Sequence, residues 1–134
     1  KLIDELKLKI QRLLNKNYLP TEKSNSLYYI LEQLEKIGDI YRDICNYLAD
    51  DKIKLSRDII KIYEEVNKFL ECFYNLFYGF SLEKFDKFGI QFKSFNSFDY
   101  KNKEEIKINS FLEKAKELIF DMNGSLLILN LNNI

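Results

Sequence analysis

The chain has no histidine and no tryptophan, one proline, four glycines and two cysteines. Without histidine there is no Ser–His–Asp or Cys–His relay, and no Glu-x-x-His pair of the kind that holds two irons inside a helical bundle. The glycines never cluster, so no phosphate-cradling loop is present. Cys45 and Cys72 fall at apolar helical positions without a dense spacing pattern. They read as buried, reduced thiols of a reducing cytoplasmic compartment. Formal net charge is zero and the basic residues are spread along the chain, so no global field recruits nucleic acid. No apolar run approaches the roughly 18 residues that span a bilayer, and no secretory leader is visible. The chain opens at Lys1 with no capping residue before its first helix, which reads as a piece of a longer polypeptide.

What remains is a set of long helical patterns. The 134 residues, 46% hydrophobic with 11 Phe and 9 Tyr, suffice for one domain whose core is built from large rings. Ile3, Leu6, Ile10 and Leu13 mark a first helix that breaks over Asn15 to Pro20. A second helix runs from about Thr21 to Ala49, with Thr21 or Ser24 as its cap. Ser56 caps a third, with Asp58 in its first turn, a seam of Ile59, Ile62, Val66, Phe69, Phe73 and Leu76, and Gly79 at its end. Phe85, Phe88, Phe92 and Phe95 favour a short fourth helix, although Ile90–Phe92 alternates like a strand around Gly89. A loop over Asp99 to Lys103 precedes a last helix with Ile108, Phe111, Leu112, Ala115, Ile119, Met122 and Leu126 on one face. Gly124 is its weak point. The expected fold is an all-α, elongated antiparallel bundle of about five helices in a single domain, with sequential helices as neighbours.

The second helix organises the rest. Its seam is Leu27, Leu31, Leu34, Tyr41, Cys45 and Leu48, with Gly38 in the gap. Beside that seam Glu32, Glu35, Asp39 and Asp43, together with Asn46, fall within a band roughly 80° wide. Like charges at i,i+4 repel by a few tenths of a kcal/mol per pair. Three arrangements relieve this: a bound cation, basic groups on a neighbouring helix, or solvation with Lys36 and Arg42 as partial counter-charges. Any metal site here uses carboxylates, carbonyls, Asn or water, a donor set suited to Mg²⁺, Ca²⁺, Mn²⁺ and iron better than to zinc. Glu117 and Asp121 repeat the i,i+4 spacing, but opposite the apolar face of their own helix. The phenylalanine stripe packs a core or meets a partner; in the second case Phe88, Phe92, Phe95 and Leu127 are the docking residues.

The segment Glu35-Lys-Ile-Gly-Asp39-Ile-Tyr-Arg-Asp43-Ile44 resembles the signature of PhoU-like proteins, regulators of phosphate uptake. The acidic-apolar helix from Ile3 to Leu14, the turn from Leu19 to Ser24 and the Leu55-Ser56 opening of the third helix are similar too. The turn looks most like the PhoU-like domain at the cytoplasmic end of sodium–phosphate cotransporters. The similarity covers residues 1–80 well and 81–134 loosely. It implies three-helix units in an elongated bundle. It also implies that Glu35 and Asp39, with Asp43 where Asn is frequent, face iron, zinc or a single divalent ion. Glu117, Asp121 and Ser125 then form a degenerate second copy. The implied role is a non-catalytic regulator of phosphate transport or signalling. Its implied partner is a phosphate transporter, a sensor kinase or the transmembrane part of its own chain, in the cytoplasm or at the membrane as a transporter's tail. The contrasting expectation is an adaptor bundle that docks a protein, or a second copy of itself, without metal.

Overall fold

A computed structural model describes residues 1–16, 19–49, 53–100 and 102–131. They form six helices: α1 (Leu2–Lys16), α2 (Thr21–Leu48), α3 (Arg57–Tyr78), α4 (Leu82–Lys93), α5 (Lys103–Asp121) and α6 (Asn123–Leu129). No strand occurs among the described residues. The molecule is an all-α bundle.

The local signals act largely as the sequence leads one to expect. Ser56 accepts from the Ile59 amide at 3.4 Å and opens α3, and the Gly79 amide closes that helix on the Asn75 carbonyl at 3.0 Å. Ser81 caps α4 through the Lys84 amide, and Asn102 caps α5 through the Glu104 amide. Three expectations need correction. The residue before α2 is Pro20, which has no side chain to cap with; its carbonyl takes the amides of Lys23 and Ser24 at 3.0 Å, and Thr21 and Ser24 lie inside the helix. Helix α4 continues through Gly89, so Ile90–Phe92 is not a strand, and it ends at Lys93, leaving Phe95 in the irregular stretch that follows. The last helix is two, interrupted at Met122, whose amide reaches back three residues to Ile119 rather than four.

Helix direction follows from which residues meet. Lys7 faces Glu35, and a methyl of Ile3 lies nearest Gly38, while Leu13 and Leu27 share a cleft, so α1 and α2 are antiparallel. Tyr47 of α2 meets Phe111 of α5, and Leu27 near the start of α2 shares a cleft with Leu126 of α6, so α2 runs antiparallel to the α5–α6 arm. The Ser56 amide donates to Glu105 at 2.9 Å, and Ile59 and Ile108 line one cleft at the starts of α3 and α5. Those two helices therefore run the same way. Strict antiparallel order among neighbours fails for a topological reason: α5 packs against both α2 and α3, and α4 with residues 94–100 forms the return crossover between α3 and α5.

Aromatic stacking pins that crossover. Phe88 lies parallel to Phe69 with ring centres 4.4 Å apart, and Phe92 lies on Phe120 at 4.1 Å. Phe95 meets Phe69 edge-on at 5.4 Å. The Lys116 ammonium sits over Phe92 and Phe95 at 5.2 and 4.9 Å and is tied to Glu113 at 3.2 Å. Phe69, Phe73 and Phe88 are buried with the aliphatic seams of α1, α2, α3 and α5 in one continuous core.

Phe88→Ala removes the ring on which α4 is stacked and is expected to cost about 3–5 kcal/mol in urea unfolding. Gly38→Ala should do the reverse. A Cβ there meets nothing nearer than Ile3 Cγ2 at 4.0 Å. The substitution is therefore expected to add about 0.5–1 kcal/mol by restricting the unfolded chain in a helix interior.

Candidate functional site: the carboxylate edge and open groove of α2

Two apolar stripes run along α2. The first is the expected seam. Leu27 and Leu34 are buried, Leu31, Tyr41 and Leu48 are partly buried, and Gly38 lies against α1. The second was not expected: Ser26, Ile30, Gln33, Ile37, Ile40 and Ile44 are all buried, on the side where α5 and α6 pack. Together the stripes occupy roughly 200° of the helix at about 100° per residue. The polar residues of α2 are confined to what is left, and the acids crowd there.

Glu32, Glu35, Asp39, Asp43 and Asn46 are all exposed on that edge. Three of the four carboxylates face a base. Glu35 Oε1 lies 3.6 Å from Lys7 Nζ on α1, Glu32 lies 3.4 Å from Lys36, and Asp39 lies 3.0 Å from Arg42. Asp43 has no ion pair among the described residues. Of the three ways to relieve the strip, a basic group on a neighbouring helix acts at Glu35, and local counter-charges act at Glu32 and Asp39. Each such exposed pair is worth about 0–1 kcal/mol.

No group of three Asp, Glu, Cys or His side chains converges to hold a metal among the described residues. Glu117 and Asp121 are exposed on the outer face of α5, away from its buried line of Ile108, Leu112, Ala115 and Ile119. The rings of Phe88, Phe92 and Phe95 turn inward to the stack, and Leu127 is half-buried on α6. Cys45 is exposed and Cys72 only partly buried, which corrects the expectation of two buried thiols. Cys45 continues the α1-facing stripe beyond the level at which α1 starts, so no helix covers it among the described residues.

That same level opens a groove of about 570 Å³ between the start of α1, Gly38 and Tyr41 of α2, and Tyr63, Asn67, Leu70 and Glu71 of α3. The Tyr41 hydroxyl donates to Asn67 Oδ1 at 2.8 Å, and the two tyrosine rings meet edge-on at 6.0 Å. Burial first, and then the neighbouring Tyr63 phenol, pushes the Tyr41 hydroxyl well above the usual phenol range. Tyr63 and Asn67 escape a search for acids and motifs. Their signal is the seam of α2, which carries Tyr41 to the level of Tyr63 and Asn67 on α3.

No protein-family model matches the chain, and neither a curated protein nor a solved structure shows significant similarity to it.

A phenol held neutral in the folded state binds its proton to higher pH than in the unfolded chain. Its contribution is complete below about pH 10 and declines as pH rises above that ordinary value. Urea unfolding between pH 8 and 11.5 is expected to show stability falling above pH 10 in the wild type. The fall should be shallower in Tyr41→Phe.

Proposed function

We propose that the chain is a non-catalytic, PhoU-like regulatory module of phosphate transport or phosphate signalling, with the carboxylate edge of α2 as its input surface. One observation carries this reading. The segment from Glu35 to Ile44 divides cleanly, with Ile37, Ile40 and Ile44 buried and Glu35, Asp39 and Asp43 exposed along an unbroken helix. A motif divided in this way serves the core with its apolar half and offers its acidic half to something positive. The Lys7–Glu35 pair favours a basic side chain over a metal cluster as that positive group. A divalent ion or iron at Asp39 and Asp43, helped by Asn46, is the competing occupant.

Phosphate uptake by the native host tests the role. Cells carrying Asp39→Lys/Asp43→Lys at normal protein level are expected to lose regulation of uptake by external phosphate; unchanged regulation removes the phosphate reading. The occupant is tested separately by thermal melting. Chelation followed by millimolar Mg²⁺, Mn²⁺ or Fe³⁺ is expected to leave the melting temperature unchanged, since a ligand bound only by the folded state raises it. A rise of several degrees, or iron or zinc retained through purification, would assign the edge to a metal instead.

A further inference from the structure

The cleft that Leu13, Leu27 and Leu126 share has a volume of about 400 Å³ and lies where α1, the start of α2, the end of α3 and α6 meet. Leu27 and Leu126 are buried at its floor, and Leu13, Leu19, Phe77 and Leu129 are half-buried around them. Two cations line it, Lys9 and Lys23, and no carboxylate does. The groove beside Tyr41 is different in kind, since Asp4 and Glu71 line it along with Lys1.

Neither Lys9 nor Lys23 has an ion pair among the described residues. The reason is local. On a helix, a side chain faces those three or four residues away. For Lys23 these positions hold Leu19, Pro20, Ser26 and Leu27, with no acid among them. For Lys9 they hold Glu5, Leu6, Arg12 and Leu13, and the one acid, Glu5, accepts instead from the Tyr74 hydroxyl at 3.1 Å. Two uncompensated ammonium groups thus border an apolar floor. Lysine suits such a border, because its stem lies along apolar surface while its charge stays at the water.

We propose that this cleft binds a single-chain anionic amphiphile, with the alkyl chain on the leucines and a carboxylate head beside the lysines. The volume falls in the lower part of the range of about 300–1,000 Å³ for small-molecule sites, which suits one chain. The charge matches as well, since cations alone line the cleft. A peptide segment fits less well. Its backbone amides and carbonyls need partners when buried, and the polar side chains here are few: Tyr78 and Asn130 besides the lysines, with the Asn130 amide nitrogen already donating to the Leu126 carbonyl at 2.8 Å. An alkyl chain needs none. This site lies apart from the carboxylate edge of α2 and does not depend on the phosphate role.

Calorimetric titration with dodecanoate, kept below its micelle-forming concentration, is the test. One saturable site per chain is expected, together with a rise in melting temperature, as for any ligand bound only by the folded state. Dodecyltrimethylammonium, which carries a similar chain with the opposite charge, should bind the same native protein at least tenfold more weakly. Lys9→Gln/Lys23→Gln should weaken dodecanoate about tenfold and leave the melting temperature of the free protein near that of the parent. No dodecanoate binding, many weak sites, equal binding of both head groups, or full affinity in the double variant overturns the proposal. A bilayer is the other source of the same chemistry. Vesicles of phosphatidylglycerol are expected to leave the protein unbound in a flotation assay, because the cleft is sized for a monomer. Flotation that is lost in the double variant, without dodecanoate binding, assigns the lysines to a membrane surface and overturns the proposal too.

Discussion

Every other feature of this bundle depends on α2 being a wall shared by two sets of neighbours. One stripe meets α1 and the other meets α5 and α6, so most of its circumference is apolar. Ile30, Leu34, Ile37 and Ile44 are fully excluded from water, and burial of such side chains contributes roughly 1.5–3 kcal/mol each. Repulsion among the surface acids amounts to a few tenths of a kcal/mol per pair. Burial therefore decides the layout. The acids are neighbours because no other arc of the helix is left to them, and salt links to Lys36, Arg42 and Lys7 relieve the crowding.

A second constraint shapes the other half. Helix α5 lies between α2 and α3, with its start beside the start of α3, so the chain must travel back along the bundle before α5 begins. The segment that makes the journey is held by rings rather than by backbone pairing: Phe88 on Phe69, Phe92 on Phe120, and Lys116 above Phe92 and Phe95. Glu65 adds a polar tether, accepting from the Asn96 amide at 3.2 Å and from its side chain. The high phenylalanine content is therefore an answer to topology. A crossover with few inter-segment hydrogen bonds takes its position from ring geometry, where offset and edge-on contacts are directional.

Function follows from where these two constraints leave polar and apolar surface. The acidic edge is exposed because the rest of the circumference of α2 is taken up largely by its two buried stripes. The intramolecular Lys7–Glu35 contact shows a basic side chain of another helix meeting that edge.

The sequence by itself determined the first three helices, the caps at Ser56 and Gly79, the seams of α1, α3 and α5, and the placement of Glu117 and Asp121 away from their own apolar face. These are local matters of spacing and capping, set by residues within one or two turns of each other. Only the tertiary structure decided that α2 is buried on two sides, since Ile30, Ile37, Ile40 and Ile44 gain a meaning only once α5 and α6 are placed against them. It also decided that Cys45 is exposed, that α5 packs against both α2 and α3, and that Phe88, Phe92 and Phe95 face inward. The physical reason is the same in each case. Periodicity shows which residues share a face, but burial depends on what stands opposite, and that partner comes from a distant part of the chain.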